Sequence, residues 1–134
     1  MAIQWTPNLS VGVEMIDEQH KIWFQKAAQL FEAGQKGQAK ETILQMFDFL
    51  DDYTKFHFKD EEEYMKSIQY PGLDDQKRMH AGFIEELARL RKDYNESGGN
   101  VLLIINANKM VINWLTKHIS TADKKIGEYA RTLK

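Results

Sequence analysis

The segment His57-Phe58-Lys59-Asp60-Glu61 places an imidazole and a carboxylate four residues apart. In an α-helix this spacing puts both side chains on one face. Steps of three and four residues along the chain extend the same face, which is mostly apolar: Ile43, Phe47, Leu50, Thr54, and Tyr64 or Met65. The pattern predicts a helix whose buried face carries a histidine and a glutamate. Because ionisable groups are unfavourable in a core unless they have partners, the pattern indicates a bound partner such as a metal ion.

The composition restricts the class of protein and the kind of site. The 134 residues suit one domain with a hydrophobic core. A net charge of -2 leaves no basic surface of the kind that binds nucleic acid. No apolar run approaches the ~20 residues of a membrane span, and the first residues lack the features of a signal peptide. The chain has no cysteine, so we expect a cytoplasmic protein whose metal ligands are nitrogen and oxygen atoms.

Four amphipathic segments predict an all-α, up-down-up-down four-helix bundle. We expect a single domain with an N-terminal arm (1–16), the bundle (17–119) and a short C-terminal helix (120–134). Asp17 or a neighbouring residue is expected to cap the first helix. Segments rich in turn-forming residues separate the helices: 34–37, 70–72 and 95–100. No segment alternates with period two for long enough to predict a strand.

Each predicted bundle helix carries one of the four histidines on its apolar face: His20, His57, His80 and His118. The histidines of the first and third helices lie early in the helix, and those of the second and fourth lie late. In an antiparallel bundle all four therefore meet near one end, within about two turns, or roughly 11 Å. Glu61 joins them through its spacing from His57, and Asp123 joins them if the chain bends after the fourth helix.

The joint pattern favours metal binding over packing. A single histidine on a buried face is more often a hydrogen-bonded packing residue than a ligand. Four histidines at one level, together with two carboxylates, would leave several buried polar groups without partners. A structural zinc site has four ligands and usually includes cysteine. Six nitrogen and oxygen donors, two of them able to bridge, favour a pair of octahedral ions, with iron first and manganese second.

The chain resembles the hemerythrins over almost its whole length, and specifically their single-domain bacterial members, the bacteriohemerythrins. The ferritin-like Glu-x-x-His pattern is absent. The resemblance is carried by motifs in the family's order: the Trp5 arm, Ile16-Asp17-Glu18-Gln19-His20, His57-Phe58-x-x-Glu61-Glu62, Tyr70-Pro71-Gly72, His80 with Phe83, and Trp114-Leu115-x-x-His118-Ile119-x-x-x-Asp123.

This resemblance implies two non-heme iron ions bridged by Glu61, Asp123 and an oxo or hydroxo group. It implies that the first two histidines bind the iron that receives dioxygen, and that the last two bind the other iron. It also implies a dry apolar pocket. We expect the walls of the pocket among five residues: Phe24, Phe56, Trp114, Leu115 and Ile119. The alternative for each of these residues is that it only packs in the core. This alternative is least favoured for Leu115 and Ile119, which flank His118.

Gln76 lies four residues before His80, where the family has a fifth histidine. Helical spacing directs Gln76 toward the site. Three interpretations stay open: the amide oxygen binds iron weakly, the position is left to water or an exogenous ligand, or the site takes one metal or none. Because an amide oxygen is a harder and poorer donor than imidazole, we expect the affected iron to be labile.

The resemblance implies reversible dioxygen binding, as in an oxygen carrier or store, by a protein that we expect to be a monomer and not an enzyme. No nucleophile with a base and no phosphate-binding glycine loop is found. An oxidase- or peroxidase-like variant produced by Gln76 is one alternative. Others are a sensor of oxygen, nitric oxide or iron, and a metal-free or zinc-loaded helical interaction module whose histidines only fill the core.

Overall fold

The computed structural model describes residues 5–133, so the first four residues of the predicted arm lie outside the described residues. Within them, five α-helices follow one another: α1 (Glu14–Gln35), α2 (Lys40–Ser67), α3 (Leu73–Glu96), α4 (Val101–His118) and α5 (Lys124–Arg131). A 3-10 turn (Pro7–Leu9) precedes α1, and a π-helical turn (Ile119–Asp123) joins α4 to α5. Helix α1 packs against α2 and α4, and α3 packs against the same two helices. The predicted all-α four-helix bundle is confirmed.

Helix α2 buries the face that its sequence predicts. The residues at steps of three and four are buried along the helix: Ile43, Phe47, Leu50, Thr54, His57, Glu61 and Met65. The hydroxyl of Thr54 donates to the Leu50 carbonyl (2.7 Å) and accepts from the indole N–H of Trp23 (2.9 Å). Both hydrogen bonds satisfy polar groups that would otherwise be unpaired in the core, which explains a threonine on this face.

Short connections keep neighbouring helices antiparallel. The α1–α2 connection turns at Gly37 (φ +66°), and the α3–α4 connection turns at Gly98 (φ +78°) and Gly99 (φ +98°). These left-handed values are easily adopted by glycine, which has no Cβ. The side chain of Asn100 then caps α4 by accepting a hydrogen bond from the backbone N–H of Leu102 (2.9 Å).

The beginning of α1 differs from the prediction. The helix starts at Glu14, so the expected boundary between arm and bundle, at residue 16, falls inside α1. Asp17 does not cap the helix. Its carboxylate accepts hydrogen bonds from the hydroxyl of Ser10 (2.5 Å) and the backbone N–H of Val11 (2.8 Å). Asp17 therefore ties the arm to the first turn of α1, a contact between segments that helix-capping patterns do not describe.

The C-terminal segment also differs from the expected separate helix over 120–134. The chain passes from α4 through the π-helical turn directly into α5, which begins at Lys124. Helix α5 lies so close to the arm that a Cβ atom built on Gly127 would overlap the carbonyl oxygen of Val11. Among residues 5–133, no helix combines the length and apolar character needed to cross a bilayer.

Replacing Gly127 by alanine is expected to destabilise the protein by about 1–3 kcal/mol or more, because the added methyl group overlaps the backbone of the arm. Gly82→Ala in the exposed middle of α3 is the matched control, since a Cβ there meets nothing within 4 Å. We expect that control to stabilise the protein by about 0.4–1 kcal/mol. Urea denaturation measures both changes, and equal effects at the two positions would contradict the close packing of α5 on the arm.

Candidate metal centre

The π-helical turn brings Asp123 back toward the histidines. His118 is the last residue of α4, and Asp123 ends the turn five residues later. In an α-helix two residues five apart point in different directions, whereas the i→i+5 repeat of a π-helix returns the fifth residue to nearly the same face. The sequence predicted a bend at this point, and the structure has a wider helical turn instead. The continuous helical path holds Asp123 more rigidly than a loop would.

The structure brings the six predicted ligands together at one end of the bundle. All six are buried, and their donor atoms form two groups that share two carboxylates. We call the donors around His20 and His57 the first half-site, and those around His80 and His118 the second half-site. Glu61 and Asp123 belong to both. Within each group the donor atoms lie within 4.8 Å of one another.

Glu61 and Asp123 each direct one oxygen to each half-site. In the first half-site, Oε2 of Glu61 lies 3.2 Å from Nε2 of His57, and Oδ2 of Asp123 lies 3.2 Å from Nε2 of His20. In the second, Oε1 of Glu61 lies 3.2 Å from Nε2 of His80. The other oxygen of Asp123, Oδ1, lies 3.2 Å from Nε2 of His118. This division of oxygens is the arrangement required of two carboxylates that bridge two ions.

The donors fit a pair of cations. Adjacent donors on an octahedral ion with bonds of ~2.1 Å are about 3 Å apart, and the closest donor pairs here are 3.2–3.6 Å apart. Most of these atoms are buried and have no hydrogen-bond partner among residues 5–133: Nε2 of the four histidines, both oxygens of Glu61, and Oδ2 of Asp123. Because buried polar atoms are nearly always paired, so many without partners at one place indicate bound ions.

Comparison with known proteins identifies the family to which this arrangement belongs. Residues 11–130 match the sequence profile of the Hemerythrin HHE cation binding domain. The chain belongs to the hemerythrin family. The resemblance read from its motifs is therefore confirmed.

Individual relatives match this chain over almost its whole length. A myohemerythrin of Theromyzon tessulatum is 33% identical over 122 residues, which cover 91% of this chain and 88% of the relative. A bacteriohemerythrin of Stenotrophomonas maltophilia (strain R551-3) is 30% identical over 129 residues, covering 95% and 80%. A crystal structure of wild-type hemerythrin superposes with a TM-score of 0.85 at 28% identity, covering 96% of this chain and 97% of the other.

Hydrogen bonds behind the histidines orient their rings toward the centre. Nδ1 of His57 donates to Oε1 of Gln19 (2.8 Å), and Nδ1 of His80 donates to Oε2 of Glu62 (2.7 Å). The side-chain amide of Gln19 is itself held by Asp60 (2.8 Å). With the proton on Nδ1, the lone pair of Nε2 is free for a metal ion, and a carboxylate behind the ring makes the imidazole a stronger donor.

The sequence did not indicate Gln19 and Glu62 as partners of the histidines. Gln19 comes from α1 and supports a histidine of α2, whereas Glu62 comes from α2 and supports a histidine of α3. The Glu61-Glu62 pair was visible as a motif, but the partner of the second glutamate depends on how two helices pack. Periodicity within one helix cannot supply that information.

Burial and charge set the protonation of the centre. Burial alone would lower the pKa of His20, but the adjacent carboxylates of Asp123 and Glu61 outweigh burial and raise that pKa to about 9. Burial would raise the pKa of Glu61, yet the charge of His57 and the nearby imidazoles of His20 and His80 hold it well below its usual range. Without metal, a proton on His20 therefore offsets part of the carboxylate charge, and metal binding would have to displace it.

Aromatic rings surround the centre. Phe58 stacks on His80 with ring centroids 3.7 Å apart, and the half-buried Trp114 stacks on His118 at 4.3 Å. Three of the predicted pocket walls are fully buried: Phe24, Leu115 and Ile119. Their contact with a bound ligand stays a prediction.

The prediction for Phe56 is wrong, because its side chain is 51% exposed. Successive residues of a helix are about 100° apart, and the rest of the buried face of α2 lies on the Phe58 side of His57, so Phe56 points to the opposite side of the helix. Phe58, which the sequence did not single out, is the buried phenylalanine beside this histidine. One residue of helical register thus decides which of the two rings lies next to the centre.

Gln76 also reaches the centre. Its side chain is buried, and its amide Nε2–H donates to Oδ1 of Asp123 at 3.0 Å. Its amide oxygen is buried and has no hydrogen-bond partner in the part of the chain that the structure describes. The predicted orientation toward the site is observed, while the choice among the three interpretations of Gln76 depends on metal binding.

Replacing Glu62 by leucine is expected to weaken metal binding by roughly 10–100-fold, since it removes the acceptor that orients His80. Glu62→Gln retains an acceptor oxygen and should recover part of the loss. Glu63→Leu, an exposed neighbour, is the matched control. Competition with a chelating dye measures the affinities, and equal affinities for the Glu62→Leu and Glu63→Leu variants would contradict the role of the carboxylate.

The metal-free protein is expected to lose stability as the pH rises from 6.5 to 9. The folded pKa of His20, about 9, lies above its ordinary value of 6.5, so its contribution is fully present below pH 6.5 and is lost as the pH approaches 9. Thermal denaturation in chelator should show a lower Tm at pH 9 than at pH 6.5. His20→Asn should flatten this dependence, and a wild-type Tm that rises across the window would contradict the assignment.

Proposed function

We propose that the centre holds two iron ions and that the protein binds dioxygen reversibly, as an oxygen carrier or store. The observation that carries the proposal is the pair of half-sites in which two buried carboxylates face four imidazoles. Membership of the hemerythrin family supports a di-iron, oxygen-binding role in general. Two ferrous ions would supply the electrons that allow dioxygen to bind strongly and yet leave again.

The donor set supports iron. The centre offers imidazole nitrogens and carboxylate oxygens, and the chain has no cysteine that would favour zinc or an iron–sulfur cluster. Imidazole suits iron better than it suits manganese, while carboxylates accept both ions. Iron is therefore the first choice, with manganese second, and Glu61 and Asp123 are the bridging residues in this proposal.

The surrounding residues support binding without further reaction. Oxygen leaves a carrier unchanged only when water and protons are kept from it, and a water-excluding pocket serves that purpose. Leu115 and Ile119 are fully buried on either side of His118, and Phe24 is buried one turn beyond His20. The Nδ1 protons of His57 and His80 are held by hydrogen bonds on the side facing away from the centre. This arrangement favours a carrier over an oxidase or peroxidase.

Iron loading tests the proposal directly. Protein reconstituted anaerobically with ferrous iron should contain about two iron atoms per chain. On exposure to air it should develop a visible charge-transfer band that persists and disappears when the oxygen is removed. His57→Ala should lower the iron content toward one atom per chain, because it removes a donor from the first half-site only. Lys59→Ala, an exposed neighbour on α2, should load as the wild type does.

Other outcomes would point to different functions. Immediate and irreversible oxidation, without a persistent band, would indicate an oxidase-like site. Failure to bind iron, or preferential retention of zinc, would indicate a helical interaction module whose histidines fill the core. Metal analysis and an optical oxygenation cycle on the same preparation separate these outcomes.

A further inference from the structure

We propose that Gln76 is a protein ligand of the second half-site, binding the ion through its amide oxygen while its amide NH₂ donates to Asp123. The inference rests on the proposed two-metal function. Ligation by Gln76 would give the two ions different numbers of protein ligands. It would also make the second half-site less selective for iron over manganese than a histidine at position 76 would make it.

The amide oxygen of Gln76 lacks a partner in a place where partners are expected. The side chain is only 2% exposed, and Oε1 forms no hydrogen bond within the described residues. An unpaired carbonyl oxygen is unfavourable in a protein interior. Most of the other buried side-chain atoms without hydrogen-bond partners are donors of the two half-sites. The Gln76 oxygen therefore shares the property that marks those donors as metal ligands.

The hydrogen bond to Asp123 determines which atom of Gln76 is available. An ionised carboxylate only accepts hydrogen bonds, so the NH₂ group must be the end of the amide that faces Oδ1 of Asp123. The two atoms of a planar amide are about 2.2 Å apart. With the nitrogen 3.0 Å from Oδ1, the amide oxygen lies within about 5 Å of the same atom.

At that distance Oε1 would be able to reach an ion held by the second half-site. Oδ1 of Asp123 is a donor of the second half-site and lies 3.2 Å from Nε2 of His118. Donors on one octahedral ion are about 3 to 4 Å apart. Gln76 is also one helical turn before His80 on α3, so both side chains project from one face toward the same ion.

Ligation by Gln76 makes the centre asymmetric. Each half-site has two imidazoles and one oxygen from each shared carboxylate. The amide oxygen adds a fifth protein donor to the second half-site only. The second ion then has one position fewer for an exogenous ligand, which directs such ligands to the ion beside His20 and His57.

The chemistry of the fifth donor also affects which ion is bound. An amide oxygen is neutral and hard, and oxygen donors of this kind suit Mn²⁺ as well as Fe²⁺. An imidazole in its place would favour Fe²⁺ more strongly. The second half-site should therefore accept manganese more readily than a Gln76→His variant does.

Anaerobic titration with Mn²⁺ tests the proposal, with free Mn²⁺ counted from its electron paramagnetic resonance signal. We expect wild-type protein to bind two ions, and Gln76→Leu to bind the second about tenfold more weakly, since a donor is lost. In competition between Fe²⁺ and Mn²⁺, Gln76→His should raise the iron-to-manganese ratio of the bound metal by several-fold. Met79→Leu, at an exposed position of α3, is the control for Gln76→Leu.

The variants test ligation in two steps. Gln76→His supplies an imidazole donor whether or not Gln76 itself is a ligand, so tighter binding in this variant supports the proposal only together with weaker binding in Gln76→Leu, which removes the amide oxygen. Weaker second-ion binding in Gln76→His, or unchanged binding in a folded Gln76→Leu, overturns the proposal. Should Gln76→Leu fail to fold, Gln76→Met, which also lacks an amide oxygen, takes its place in the same titration.

A wild type that holds one ion while Gln76→His holds two also overturns the proposal, because Gln76 would then be leaving its half-site empty. The proposed two-metal function fails in a different way, when neither wild type nor Gln76→His binds two ions. Parallel titration with Fe²⁺ distinguishes the two failures, since it counts ions without relying on oxygen binding.

Discussion

The structure depends on two buried carboxylates that face imidazoles from all four bundle helices. Neither Glu61 nor Asp123 has enough hydrogen-bond donors around it to justify burial as a structural residue. Their closest neighbours are histidines whose Nε2 atoms also lack hydrogen-bond partners. Protons can satisfy this cluster in the metal-free protein, as the raised pKa of His20 indicates. Two cations would satisfy it better, because each carboxylate oxygen would then face a positive ion.

The bundle makes the centre rigid by supporting each histidine from a neighbouring helix. Gln19 of α1 orients His57 of α2, and Glu62 of α2 orients His80 of α3. Stacking of Phe58 on His80 and of Trp114 on His118 restricts the rings further. A site held in this way loses little conformational freedom when ions bind, so the packing of the helices contributes directly to metal affinity.

The sequence predicted the fold and the position of the centre through spacing alone. Histidines early in two helices and late in the other two must meet at one end of an antiparallel bundle, and they do. Asp123 was harder to predict, since its approach depends on a π-helical turn that no local pattern announced. Phe56 was placed wrongly because an apolar residue beside a ligand was taken as facing inward, whereas helical register turns it toward solvent.

What the sequence determined by itself was the order of helices, the face that each buries, and the level of the four histidines along the bundle. These follow from periodicities that each segment carries internally. Tertiary structure alone decided how the oxygens of Glu61 and Asp123 are divided between two half-sites. It also decided that the amide NH₂ of Gln76 is the end that contacts Asp123. The reason is that these features depend on distances between atoms of different helices, which become defined only when the helices pack.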